Sequence, residues 1–237
     1  GEPPLAIEPP VPGESLYVPQ GGASGTALAG TRRLAEEVIS FWKDRGQGRP
    51  LTICLPGGTC STAVLLHNAI TGMNSKKELD IQVVVIPCVG DEFYANRQMT
   101  ALNAELGSSN NGIPTVLPPI PDDPAFTKKN PNIKNQYFSF GEPHPAILDT
   151  YNSMKDELVL DLLYGAPSWT ILLRHLNVQG KSQNKGGESS FDPIVPFDGR
   201  SIMYIHSGGL EGINTQLLRY KYKGLIELDD IQLPGTA

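Results

Sequence analysis

Apolar positions along this chain alternate between two patterns. Short continuous runs, LTICL at 51–55 and DIQVVVIPCVG at 80–90, have no polar face and fit strands buried on both sides of a parallel sheet. Between them apolar residues recur at helical spacing: Leu34, Val38, Phe41 and Trp42 within 27–44 define one amphipathic helix. The same spacing predicts helices at 61–70, 91–102, 144–157, 167–176 and 210–222. Shorter apolar stretches predict strands in PTVLPP (114–119), LVLDLLY (158–164) and SIMYIH (201–206), and in SLYVPQGGASG (15–25) before a glycine turn. Residues 121–136 read as a polar loop. The stretch 177–199 has little to bury and reads as a mobile surface insertion.

Strand and helix alternate throughout, which predicts an α/β fold: three layers, with a mainly parallel sheet covered by helices on both faces. Residues 1–14, GEPPLAIEPPVPGE, are too rich in proline to open a domain and read as a tail or linker, leaving 15–237 as the domain. In such sheets ligands sit beyond the carboxyl ends of the strands. Three glycine turns follow apolar runs, at Gly21-Gly22, Gly57-Gly58 and Gly208-Gly209, and are expected to line one rim.

Composition narrows the function classes. The net charge is −6, and the 19 basic residues are scattered, so no basic face for nucleic acid is expected. No apolar run reaches the ~20 residues that span a bilayer. The three cysteines, Cys54, Cys60 and Cys88, lie in strands or the first turn. An odd count in such places fits reduced thiols and an intracellular compartment, cytoplasm or organelle interior. Metal ligation is not expected, because no C-x-x-C or paired histidine spacing occurs.

The turn from Pro56 to Thr62 offers consecutive backbone amides at a helix start, with hydroxyls from Thr59, Ser61 and Thr62. That chemistry suits a phosphate, although neither a Walker motif nor G-x-G-x-x-G is present. A plain strand-to-helix turn capped by Thr or Ser accounts for the same residues equally well. Cys60 stands where a helix start lowers a thiol's pKa, yet no partner histidine or base accompanies it. Tyr164 and His206 each end a predicted strand, where packing roles are common. Asp91 and Glu92 are favourable first-turn charges.

Six segments occur in an order that resembles one family: YVPQGGASGTALAGTRRLAEEV, LPGGTCSTAVLLHNAI, PCVGDEFYANRQMTAL, FGEPHPAI, LDLLYGAPSW and YIHSGGLEG. It is the 1-aminocyclopropane-1-carboxylate deaminase / D-cysteine desulfhydrase family, within the tryptophan-synthase-β-like pyridoxal-phosphate enzymes. The resemblance runs from about residue 15 to 225. It implies the larger domain of that fold and pyridoxal 5'-phosphate as cofactor. It further implies that Gly57, Gly58, Thr59, Cys60, Ser61 and Thr62 cradle the cofactor phosphate, that Tyr164 faces the substrate, and that Ser207 lies near the pyridine ring.

The departures are specific. The family's cofactor-bonding lysine sits in a Gly-Gly-Asn-Lys segment expected upstream of residue 1. The reversed NKGG string at 184–187 makes Lys185 no substitute. Phe140 replaces a second active-site tyrosine. Gly165 replaces a Glu or Thr that partners the pyridine nitrogen. Gly22-Ala23-Ser24 keeps a turn without the usual Asn. Two main functions follow as expectations, beside a third, a binding module that holds free pyridoxal phosphate or a nucleotide without turnover. One is the cofactor-cradling part of a deaminase or lyase for small amino acids, inactive alone, whose lysine comes from a preceding segment or second chain. The other is a pseudoenzyme that serves as a structural subunit of a larger assembly. A homodimer is compatible with either.

Overall fold

Four strands pair in parallel in the order β3-β2-β1-β4, where β1 is Leu51–Gly57, β2 Ile81–Pro87, β3 Thr115–Val116 and β4 Ser201–Tyr204. This computed structural model describes residues 18–119, 137–182 and 197–227, without the side chains of 178–182. Six α-helices accompany the strands among the described residues: α1 (Leu28–Arg45), α2 (Ser61–Met73), α3 (Glu92–Glu105), α4 (Pro145–Met154), α5 (Gly165–Ser182) and α6 (Ile213–Tyr222).

Side chains alternate across a strand, so the two apolar runs supply two cores at once. Leu51, Ile53 and Leu55 of β1 and Val83 and Val85 of β2 pack with α1, α2 and α3. Cys54 of β1 and Val84 and Ile86 of β2 face the other way, into α4, α5 and α6. The protein is therefore a three-layer α/β sandwich, the fold class that the hydrophobic pattern implies.

The chain runs from β1 outward through β2 to β3, then returns to place β4 on the other side of β1. Strand order reverses at β1. In open parallel sheets the crevice outside the carboxyl ends of the strands at such a point accepts ligands.

One expected strand is absent. Residues 158–161 have no regular structure, and 162–164 form a turn that leads into α5. Asp161 explains it: its carboxylate accepts the backbone N–H groups of Leu163 (2.9 Å), Tyr164 (2.7 Å) and Gly165 (2.7 Å), which winds the segment into a capped helix start. Leu160 and Leu162 still bury, but in the helical layer. Other helix starts follow their capping chemistry. Asp91 accepts the Tyr94 amide at the head of α3, and His144 with Pro145 opens α4. Residues 18 and 19 form no strand, and Gln20–Gly22 is a tight 3-10 turn. Helix α5 runs to Ser182, past the expected end at 176. Residues 1–17, the loop 121–136 and 183–196, with Lys185, lie outside the described residues. No helix among the described residues is long and apolar enough to cross a membrane.

Candidate functional site

The anion-type turn between β1 and α2 has an unusual backbone. Cys60, the residue before α2, is left-handed (φ 60°, ψ 14°), and no side chain caps the helix. A left-handed residue followed by a right-handed one points successive amides into one concavity, the geometry of an anion nest. The first amides of α2 have no carbonyl of their own helix to bond, and the helix dipole adds positive potential there. Non-glycine residues avoid this conformation, so its presence at a buried side chain marks a turn held by its surroundings.

Those surroundings are closely fitted. The Thr59 and Ser61 hydroxyls bond each other at 2.6 Å, and Ser61 Oγ donates to the Gly21 carbonyl at 3.1 Å. Gly21 (φ 66°) lies so close that a Cβ there would overlap the Thr59 side chain. A Cβ on Gly58 would stand 3.3 Å from the Tyr164 ring and 3.4 Å from its hydroxyl. Gly57 lies at the strand end, packed against Val85 and the Cys60 thiol. Glycine thus lets two neighbouring segments close onto the turn.

An open cavity of about 370 Å³ results, over the carboxyl ends of β1 and β4. Gly58, Thr59, Cys60, Ser61, Thr62, Tyr164 and Ser207 all line it; Gly57 supports it from beneath. Gly21, Gly208 and Gly209 also line it, so the three glycine turns share one rim. None of the described lining residues is a lysine or an arginine.

Tyr164 is half-buried. Burial first, then Cys88, Asp161 and Tyr94 nearby, push its phenol above the ordinary value, so it is a neutral hydroxyl at neutral pH. The Phe140 ring lies tilted beside it, ring centroids 5.3 Å apart, half-exposed and without a hydroxyl to offer. The Cys60 expectation is corrected. Its side chain is buried in the core behind the turn, Sγ 3.8 Å from the Gly58 carbonyl, and burial pushes the thiol up to about 11. The helix start does not activate it, because desolvation of the thiolate dominates.

Gly165 is also more than a missing side chain. A Cβ there would come within 2.9 Å of both Asp161 Oδ2 and His206 Nε2. The His206 ring and the Asp161 carboxylate fill the space that a larger residue would need.

No family model matches this chain, and no curated protein matches it. Among solved structures, one described as an ACC deaminase homologue matches with a TM-score of 0.58 at 17% sequence identity. The match covers 88% of this chain and 53% of that one, so the chain spans about half the length of the protein it resembles. At that identity the likeness establishes the shared α/β fold.

Three site elements escaped the sequence reading. Gln20 and Tyr94 line the cavity, and Asp161 organises the Tyr164 segment from below. Tyr94 had a faint trace, since the preceding Gly90 (φ 69°) makes room for its ring: a Cβ there would stand 2.7 Å from it. Asp161 looked like one polar residue in an apolar strand, and nothing in the pattern distinguished a cap.

Proposed function

We propose that this chain is the cofactor-cradling part of a pyridoxal-phosphate-dependent deaminase- or lyase-like protein acting on small amino acids, with the cofactor-bonding lysine supplied by a preceding segment or a second chain. The observation that supports it is the left-handed nest at Cys60 and Ser61, opening on a cavity that Tyr164 shares. A cavity of about 370 Å³ falls in the usual range of small-molecule sites, about 300–1,000 Å³. The residues fit the group: amides of the Gly58–Thr62 turn with the Thr59, Ser61 and Thr62 hydroxyls would hold the phosphate. Ser207 would lie near the ring. When bound, the cofactor supplies an electron sink for charge at the amino acid's α-carbon. Tyr164, a neutral phenol, would meet the substrate and hold a proton on its hydroxyl oxygen. The ACC deaminase homologue's fold agrees with this reading.

Equilibrium binding of pyridoxal phosphate to the chain tests it. Pyridoxal without the phosphate should bind at least about tenfold more weakly, a difference of about 1.4 kcal/mol. Inorganic phosphate should compete, and Gly58→Glu, which sets a carboxylate in the nest against Tyr164, should abolish binding. Equal affinity for pyridoxal and its phosphate, or unchanged binding by the variant, would overturn the cradle. Borohydride reduction of the loaded chain should leave no lysine bonded stoichiometrically to cofactor. A trapped lysine in this chain would overturn the claim that the lysine lies elsewhere.

The second reading, a non-catalytic subunit of a larger assembly, draws on Phe140 and Gly165. One gives the site an exposed apolar ring, and the other leaves no room for a side chain. A native complex whose partner carries a borohydride-trapped, cofactor-linked lysine favours the enzyme. A complex that binds the cofactor with no trapped lysine favours the subunit.

A further inference from the structure

Behind the cavity lies a pair of buried polar groups with an incomplete contact. The Asp161 side chain is 3% exposed, and its two oxygens take the amides of residues 163, 164 and 165. His206 Nε2 lies 3.6 Å from Asp161 Oδ2, too long for a hydrogen bond, and is buried with no other hydrogen-bond partner among the described residues. Gly165 permits the approach, as its missing Cβ shows. Gly209 (φ 91°) rests on the same carboxylate: a Cβ there would stand 3.2 Å from Asp161 Cγ.

We propose that Asp161, paired with His206, is a positioning residue that holds Tyr164 and the turn at 207–209 against the anion nest as one unit. The carboxylate grips the Tyr164 backbone directly, and the Tyr164 ring lies over Gly58 of the nest. It also underlies Gly209, while His206 begins the turn that carries Ser207 into the cavity. Two walls that arrive from different parts of the chain therefore share one buried carboxylate. A proton taken from solvent by Nε2 brings a donor to that carboxylate and completes the contact, with no other bond made or broken. The titratable groups that face Asp161 are Cys88 after β2, Tyr164 on its own segment, Tyr204 on β4 and His206. Burial pushes the thiol and both phenols up, so they stay neutral near neutral pH.

The pair rests on the same site as the proposed function, and its test uses the full chain with no cofactor added. The ring resonances of Tyr164 and the amide of Gly209 are followed by nuclear magnetic resonance between about pH 5 and 8. Both should move with the same midpoint as the His206 ring protons. His206→Gln should abolish that response. Asp161→Asn should uncouple Tyr164 while His206 still titrates, and Asp161→Glu should restore part of the coupling. If Asp161→Asn does not fold, His206→Gln decides, with its fold confirmed by circular dichroism. A His206 that does not titrate in this range, a flat Tyr164 signal while it does, or an unchanged response in His206→Gln would overturn the proposal. Pyridoxal-phosphate binding is a separate measurement, so failure of either reading leaves the other's result standing.

Discussion

The two ends of the parallel sheet differ in what their polar groups do. At the amino end, Arg200 is held by several partners. Its guanidinium meets the two Asp80 carboxylate oxygens at 2.8 Å each, and it donates to the Leu51 carbonyl, the Asp80 carbonyl and the Thr52 hydroxyl. One side chain thereby ties the entrances of β1, β2 and β4. A cleft of about 630 Å³ also lies near this end, larger in volume than the cavity at the other rim. On its wall Asn74 bonds both the amide and the carbonyl of Leu79. At the carboxyl end, a nest of uncapped amides opens on solvent and a buried histidine nitrogen lacks a hydrogen bond. The comparison teaches that size does not set the proposed site apart from the other end of the sheet. Polar groups held in place without partners do.

The comparison can be broken first at the thiols, where the largest effect is expected. Cys60 belongs to the open rim by position but to the core by burial, and its thiol is pushed up to about 11, that of Cys54 to about 12. At pH 8 a thiol with an ordinary value near 8.5 is about one-quarter thiolate, and one near 11 about a thousandth. Labelling with an aromatic disulfide should therefore run about two orders of magnitude slower in the folded chain than in the unfolded one. Rapid modification of Cys60 in the folded chain would show that the rim is open where the structure closes it.

Removing the amino-end clasp should come next. Arg200→Ala deletes bonds to a carboxylate, two carbonyls and a hydroxyl, and should cost about 2–3 kcal/mol of stability in urea denaturation. Anion binding by the folded variant should not change, because the clasp lies at the opposite end of the strands. A smaller, paired test sharpens the carboxyl end. Gly21→Ala and Gly22→Ala both force alanine to a positive φ, at a cost of about 1 kcal/mol each. Only the first also drives a Cβ into Thr59, since no described residue lies within 4 Å of a Cβ at Gly22. Gly21→Ala should therefore weaken phosphate binding and Gly22→Ala should not; equal effects would mean that the Thr59 contact does not shape the nest.

What the sequence made legible follows the same division. The sheet was readable because β1 and β2 are apolar on both faces and bounded by turns, a pattern with few alternatives. The nest was readable as a turn of small residues, but not its depth, because a left-handed Cys60 and the approach of Gly21 are tertiary facts. The stretch 158–164 misled because its leucines suit either a buried strand or a buried turn. One carboxylate taking three amides decided between them. Tyr94 and Gln20 fell within or beside elements whose apolar spacing was already explained. His206 was noticed, but the carboxylate facing it arrives from 45 positions earlier in the chain.

The weakest expected effect is the pH response of the clasp, and its sign is definite. Hydrogen bonding from Arg200 lowers the Asp80 carboxyl below its ordinary value, against a smaller opposing effect of burial; the Arg200 charge lowers it further. The folded state therefore favours the carboxylate more than the unfolded state does. Its contribution to stability is fully present above the unfolded value, about 3.9, and is lost as pH falls through the lower folded value. Asp80 is mostly exposed, its side chain 68% accessible, so solvent and salt screen the pair and the contribution is small. Denaturation midpoints of the wild type should drop more than those of Arg200→Ala between about pH 5 and 3, and added salt should narrow the gap. Parallel curves would mean that the guanidinium holds the strand entrances through the carbonyls of Leu51 and Asp80, with the carboxylate a bystander. The amino end would then be closed by hydrogen bonding to the backbone alone, which makes its contrast with the uncapped nest a matter of amides and carbonyls and not of charge.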